Sequence, residues 1–265
     1  MYDWANSGYA TSGLAAFFPV YYVLLFKNAL GEEAVLWGIN FTGSSSWSVG
    51  LVISTLVVAL SSPILGVIAD RAAIKKTLLW IFTISGASFT ALTFFSVYFG
   101  AQWAWALGCY IIANVGFAGG LVFYNSFLPH LGNHSDLDRI SSRGFAYGYV
   151  GGGLLLAIHL AAIMAFQSSD SLDLITRLAI GSVGLWWFGW ALWTFKTVPE
   201  PKIHNPITDI NLQSATSIAF KRLNQTFREL TRFKILALYL VAYLFFNDGI
   251  QTVLAVAGAF GPDTL

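Results

Sequence analysis

Residues 49–76 read VGLVISTLVVALSSPILGVIADRAAIKK. From Val49 to Ala69 no position carries a charge, and then Asp70, Arg71, Lys75 and Lys76 follow within a few residues. A helix rises about 1.5 Å per residue and the hydrocarbon core of a bilayer is about 30 Å thick, so roughly 20 apolar residues are needed to cross it. The run meets that length. In lipid its backbone groups find no water to bond, so helix is the form that satisfies them. The stretch is read as a membrane span that ends in a charged loop.

The same pattern recurs on both sides. Clear apolar runs lie at about 4–26, 49–69, 77–99, 104–126, 144–166 and 235–260. A shorter one, 178–195, is uncharged and ends in Trp186, Trp187, Trp190 and Trp193, the aromatic cluster expected near a membrane interface. Seven spans result, and the fold class is an all-α integral membrane protein. Composition agrees: 56% of the chain is hydrophobic and 10% charged, too little polar surface for a water-soluble domain. A net charge of +1 gives no reason to expect nucleic acid as a partner. Cys109 is the single cysteine, which excludes a disulfide within the chain and a cysteine metal cage. The four histidines form no H-E-x-x-H pattern, and no nucleophile stands beside a base, so neither enzyme activity nor a metal or cofactor is expected. The first run follows Met1 without a basic leader, so it is read as a span and not as a removable signal peptide.

Lysine and arginine decide orientation, because cytoplasmic loops retain positive charge. The loop after span two carries Arg71, Lys75 and Lys76, and the loop after span four carries Arg139 and Arg143. The segment after span six carries Lys196, Lys202, Lys221, Arg222, Arg228, Arg232 and Lys234, which puts twelve of the 14 basic residues on one side. Only Lys27 and Arg177 fall opposite, so the N-terminus is expected in the cytoplasm. Residues 196–234 open with Pro199, Pro201 and Pro206 and read as a linker. Further on, Phe220, Leu223, Phe227 and Leu230 recur at helical steps, flanked by Lys221, Arg222, Arg228 and Arg232. That pattern fits a basic amphipathic helix on the inner leaflet, or an ordinary surface helix packed on the bundle.

Gly66-Val67-Ile68-Ala69-Asp70-Arg71-Ala72-Ala73-Ile74-Lys75-Lys76 resembles the signature between spans two and three of the major facilitator superfamily. Gly66 would permit close helix contact, while Asp70 and the cations Arg71, Lys75 and Lys76 would pair with the neighbouring half and hold a closed gate. Three residues separate Arg71 from Lys75 where many members have two, one of them glycine. Four further segments are similar to the vacuole-effluxer group of facilitators, which includes the autophagy-related amino-acid effluxers of vacuoles and their bacterial relatives. They are Tyr2-Asp3-Trp4-Ala5-Asn6-Ser7, the run from Phe123 to Pro129, Ser142-Arg143-Gly144 with the glycines after it, and Phe246-Asn247-Asp248-Gly249-Ile250-Gln251-Thr252. The resemblance implies twelve spans in two halves. On it, 1–198 is a six-span N-terminal half, 199–234 a cytoplasmic linker with an amphipathic helix, and 235–265 the start of the second half.

Facilitator halves are parallel repeats, so span seven should echo span one. Asp3-x-x-Asn6-Ser7 and Asp248-x-x-Gln251-Thr252 carry carboxylate, amide and hydroxyl in the same order and spacing. An ionisable side chain at the bilayer centre costs roughly 2.5–3.5 kcal/mol, so Asp248 needs a partner, a wet cavity or a proton. The expectation is that Asp248, Gln251 and Thr252 face Asp3, Asn6 and Ser7 across a cavity and contact substrate or a coupling proton. The competing reading is an interhelical hydrogen-bond clamp. Asp3 comes only two residues into its span, which places it at the cytoplasmic surface unless the chain starts upstream of Met1. Asn114 in span four is a further pathway candidate, with packing the alternative. His159 could relay protons, although a lone histidine on an apolar helix is more often a satisfied neutral donor. Gly144, Gly148 and Gly152 form a small-x-x-x-small track for close packing.

The expected function is therefore secondary transport of a small solute, with amino acids and protons implied by the resemblance. The rival is a half-transporter serving only as a membrane interaction module. Compact loops suit a bacterial inner membrane best, with a vacuolar membrane as the alternative.

Overall fold

The computed structural model describes residues 1–201, 212–230 and 232–264, so Lys202 and Pro206 of the linker lie outside the described residues. Among them, seven helices are long and apolar enough to cross a bilayer: Tyr2–Leu30, Gly43–Ala72, Lys75–Tyr98, Gln102–His130, Leu137–Phe166, Leu172–Thr197 and Lys234–Ala259. These are spans one to seven. Each outruns its apolar stretch at one end or both, because hydropathy marks only the hydrocarbon core while backbone hydrogen bonding continues into polar flanks. The sixth shows why. Its apolar run of 178–195 becomes a helix of 26 residues, and the charges in its first turns neutralise each other, with Arg177 Nε donating to Asp173 Oδ2 at 2.8 Å.

Span one is not a uniform helix. It is α-helical over Tyr2–Gly8, π-helical over Tyr9–Phe17 and α-helical again over Phe18–Leu30. Thr11 Oγ1 donates to the Ser7 carbonyl at 2.7 Å, taking an acceptor that the backbone would otherwise use. At the far end of the segment the Phe18 N–H reaches the Gly13 carbonyl five residues back, and Pro19 has no N–H to offer.

Between spans one and two stands a hairpin that hydropathy cannot register. Strand β1 (Ala34–Leu36) pairs antiparallel with β2 (Ile39–Phe41) around Trp37 and Gly38, both at positive φ (52° and 78°). This is the twist that a two-residue hairpin turn requires. Span two then starts on a reciprocal cap, in which Thr42 Oγ1 accepts the Ser45 N–H and Ser45 Oγ accepts the Thr42 N–H.

Packing follows the small residues. Span three lies against spans four and six, span two against span four, and span one against spans five and six. Spans three and four meet backbone to backbone: a Cβ on Gly116 would stand 2.7 Å from the Phe82 carbonyl and closer still to Gly86. Large rings fill the remaining space, among them Trp187 beside Tyr9 and Phe117, and Trp47 stacked on Tyr110 at 3.7 Å. Span seven packs its far end on span one, where a Cβ on Gly258 would come within 3.1 Å of the Ala15 carbonyl.

The turn from span two to span three holds a local conflict. Ala73 closes span two in the left-handed region, at φ 54° and ψ 46°. Glycine adopts this conformation without steric cost, whereas a Cβ there is unfavourable. Ala73→Gly is therefore expected to stabilise the protein by about 0.5–1 kcal/mol. A thermal unfolding midpoint in detergent that rises for Ala73→Gly checks this; a fall would mean the turn tolerates the methyl without strain.

Candidate functional site

Span one enters the bundle at its basic end as a wedge, and each of its first residues faces a different neighbour. Tyr2 is buried, its hydroxyl 2.9 Å from Thr83 Oγ1 of span three and its ring stacked on Tyr124 of span four. Trp4 stacks on Trp186, whose indole N–H donates back to the Trp4 carbonyl at 3.2 Å. Between them Asp3 is half-buried, and Tyr124 donates its phenolic proton to Asp3 Oδ2 at 2.5 Å. A carboxylate taken out of water needs such a donor. Beside it opens a small cleft of about 50 Å³ lined by Asp3, Tyr124, Asn125 and Ser141 together with Leu128, Leu131, Ile140 and Phe145.

The glycine track of span five is what lets span one come so close. A Cβ on Gly144 would fall 2.5 Å from Asp3 Oδ2, one on Gly148 2.7 Å from Ser7 Oγ, and one on Gly152 2.8 Å from the Ser7 carbonyl. Thr11 Oγ1 adds a 3.0 Å bond to the Gly152 carbonyl. Asp3 and Ser7 thus share the face turned to span five, while Asn6 is buried.

Higher in the same seam His159 joins three spans. Its Nδ1 lies 2.5 Å from Ser12 Oγ of span one and its Nε2 2.8 Å from Ser182 Oγ of span six. Ser182 already donates to the Ala179 carbonyl, so it accepts from Nε2–H. Both ring nitrogens are thereby used. Asn114 is also engaged: its Nδ2 donates to Ser54 Oγ of span two at 2.8 Å, and the residue is buried.

The structure does not bring the two matching triads together. Asp3 is bonded to Tyr124, whereas Asp248, Gln251 and Thr252 stand exposed on span seven, with no hydrogen bond to Asp3, Asn6 or Ser7 among the described residues. Span one spends its polar face on the glycines of span five, and span seven meets span one only further along.

At the basic end the loop between spans two and three is tied to itself and to the segment that follows span six. Lys75 Nζ and Asp70 Oδ1 form an ion pair at 2.9 Å, and the Lys76 N–H at the start of span three donates to Glu200 Oε2 at 2.8 Å. Glu200 is a carboxylate on the positive end of a helix, which favours it electrostatically. Gly66 departs from expectation. A Cβ there would meet nothing within 4 Å, because the contact on this stretch of span two is made one residue on, by Val67 against Ala215 and Ala219 of helix Leu212–Leu230. Arg71 is half-buried at the end of span two.

Two contributors were not singled out from sequence. Tyr124 lies inside the run from Phe123 to Pro129, but nothing in one-dimensional spacing pairs it with Asp3. Glu200 had a usable signal, since it is the only carboxylate between Asp173 and Asp209 and sits between two prolines.

Comparison with known proteins fits this geometry. The chain matches the family described as "Vacuole effluxer Atg22 like" over residues 1–265. It is 30% identical to the MFS-type transporter YxiO of Bacillus subtilis (strain 168), across 99% of this chain and 59% of that protein. Autophagy-related protein 22-1 of Aspergillus niger is 30% identical and that of Penicillium rubens 31%, each across 48% of this chain and about a fifth of the relative. The chain thus spans little more than half the length of its bacterial relative. No solved structure matches it. A multi-pass helical bundle matched from end to end leaves one assignment: the chain belongs to the Atg22-like vacuole effluxer family of MFS-type membrane proteins.

Proposed function

We propose that the chain supplies the N-terminal half (1–198), a cytoplasmic linker (199–234) and the first span of the second half (235–265) of a secondary transporter, which exports amino acids by alternating access with proton coupling. The single observation that carries the reading is the Asp3–Tyr124 pair, set beside a largely apolar cleft at the basic end of the bundle. A carboxylate held by one phenol through Oδ2 keeps a second oxygen for an ammonium group or a proton. When a proton binds, the negative charge that holds the ammonium is lost while Asp3 and Tyr124 stay joined, so proton entry and amine release are linked at one side chain.

Span seven supports the reading from the other side. Asp248, Gln251 and Thr252 are exposed, and a carboxylate within a span is costly unless it faces water. A wetted pathway between the halves meets that need. The ties from Lys75 to Asp70 and from Lys76 to Glu200 brace the end of the half against which such a gate closes. The density of positive charge there is the reason to place this end, and the N-terminus, in the cytoplasm.

The test is transport by the full-length protein in proteoliposomes, with a panel of radiolabelled amino acids and an imposed proton gradient. Gradient-dependent flux of at least one amino acid is expected. Flux that ignores the gradient would remove the coupling, and no flux with any amino acid would remove the substrate class. In a parallel arm with residues 1–265 alone, stable insertion without flux, set against a full-length protein that also shows none, would assign the role of a membrane interaction module.

A further inference from the structure

Helix Leu212–Leu230 presents three different faces. Ala215, Ile218 and Ala219 pack on Ile64, Val67 and Ile68 of span two. Roughly a third of a turn away, at about 100° per residue, runs the stripe of Phe220, Leu223, Phe227 and Leu230. This stripe is open: Phe220 is 63% exposed and Phe227 67%. Phe227 and Leu230 also form one wall of an open apolar groove of about 300 Å³ whose other wall is Ala237, Leu240, Val241 and Leu244 of span seven. By helical phase Lys221 and Arg228 lie on the opposite side of the helix, with Arg222 toward the packed face and Arg232 just beyond its end.

From this arrangement we propose that the stripe is a docking surface for the membrane itself, and specifically for anionic lipid, with acyl chain in the groove and the basic side chains at the headgroups. Three observations favour lipid. The small-residue face already holds the helix on the bundle, so the bulky stripe is surplus to protein packing. Lys234, which opens span seven, follows Leu230 by four residues, so the stripe lies at the depth where the bilayer begins. The cations Lys221, Arg222, Arg228 and Arg232 complement a negative leaflet, near which each basic residue strengthens attachment about fivefold. An amphipathic helix so placed buries its apolar side at the boundary of headgroup and acyl chain. Because the helix is packed on span two, occupancy of the groove fixes where span seven starts relative to the first six spans.

The full-length protein, with Cys109→Ala as background, would be labelled with an environment-sensitive fluorophore at Phe227→Cys and, on the far face, at Gln225→Cys. Vesicles of phosphatidylcholine alone and of an equal mixture with phosphatidylglycerol provide the lipid. Quenching of the Phe227→Cys label by acyl-chain spin labels is expected to be severalfold stronger in the anionic vesicles, while the Gln225→Cys label stays open to iodide. Neutralising Lys221, Arg222, Arg228 and Arg232 to glutamine should erase the difference between vesicles. If that variant elutes as an aggregate, Arg222→Gln alone should reduce it. A Phe227→Cys label equally shielded in both vesicles and in detergent would mean that protein covers the stripe. Iodide quenching in both would mean that nothing does, and either result overturns the proposal. None of these readouts depends on transport.

Discussion

Gly116→Leu is expected to prevent formation of the stable bundle, with a loss of more than about 3 kcal/mol, because the new side chain has no space to enter. At this crossing the obstruction is backbone and not a movable ring: Gly86 and the Phe82 carbonyl occupy the place where the side chain would begin. Spans three and four would have to separate. Span three carries the contact with span six as well, so the separation spreads through both interfaces. Gly108, on the same span four helix, has nothing within 4 Å of its would-be Cβ and serves as the control. Yield of monodisperse protein in detergent, with the thermal midpoint followed by tryptophan fluorescence, should collapse for Gly116→Leu and change little for Gly108→Leu. Equal behaviour of the two variants would mean that the crossing is not as close as described.

The second large effect is on function. In the full-length protein, Asp3→Asn is expected to reduce proton-driven flux at least tenfold while leaving folded yield near normal. Asparagine can still bond Tyr124 through its carbonyl oxygen, so the hydrogen bond at the cleft survives and only the titratable charge is lost. Tyr124→Phe does the reverse. It keeps the charge and deletes the donor, at about 1–3 kcal/mol for a group left without its partner. Flux in Tyr124→Phe should therefore persist with an altered pH profile, whereas Asp3→Asn should be low at every pH. If Asp3→Asn transports like the unmodified protein across a pH series, Asp3 leaves the pathway and Asp248→Asn becomes the deciding variant.

The number, order and approximate limits of the spans were legible because lipid imposes a length and a polarity that a single strip of sequence can display. The glycine track of span five was legible for a related reason, since its four-residue repeat is itself a packing pattern. Features that depend on two distant segments were not. Asp3 and Asn114 were recognised as polar residues in apolar runs, yet their partners Tyr124 and Ser54 lie on other spans, and no spacing rule links them. At Gly66 the motif suggested close contact, and within this chain the neighbouring helix seats one residue on, at Val67. The matching order of Asp3, Asn6 and Ser7 with Asp248, Gln251 and Thr252 suggested proximity, whereas Asp3 and Ser7 are turned to span five.

The π-helical stretch Tyr9–Phe17 gives span one a store of winding. A turn closed by bonds to the fifth residue back holds more residues than an α turn, so rewinding that stretch as α-helix would lengthen the rod and rotate one tip against the other. With the far tip anchored by span seven, the tip bearing Asp3 would screw past the span five glycines. A single helix would then convert a change of hydrogen-bond partners into rotation of a carboxylate, with no hinge and no unfolded intermediate.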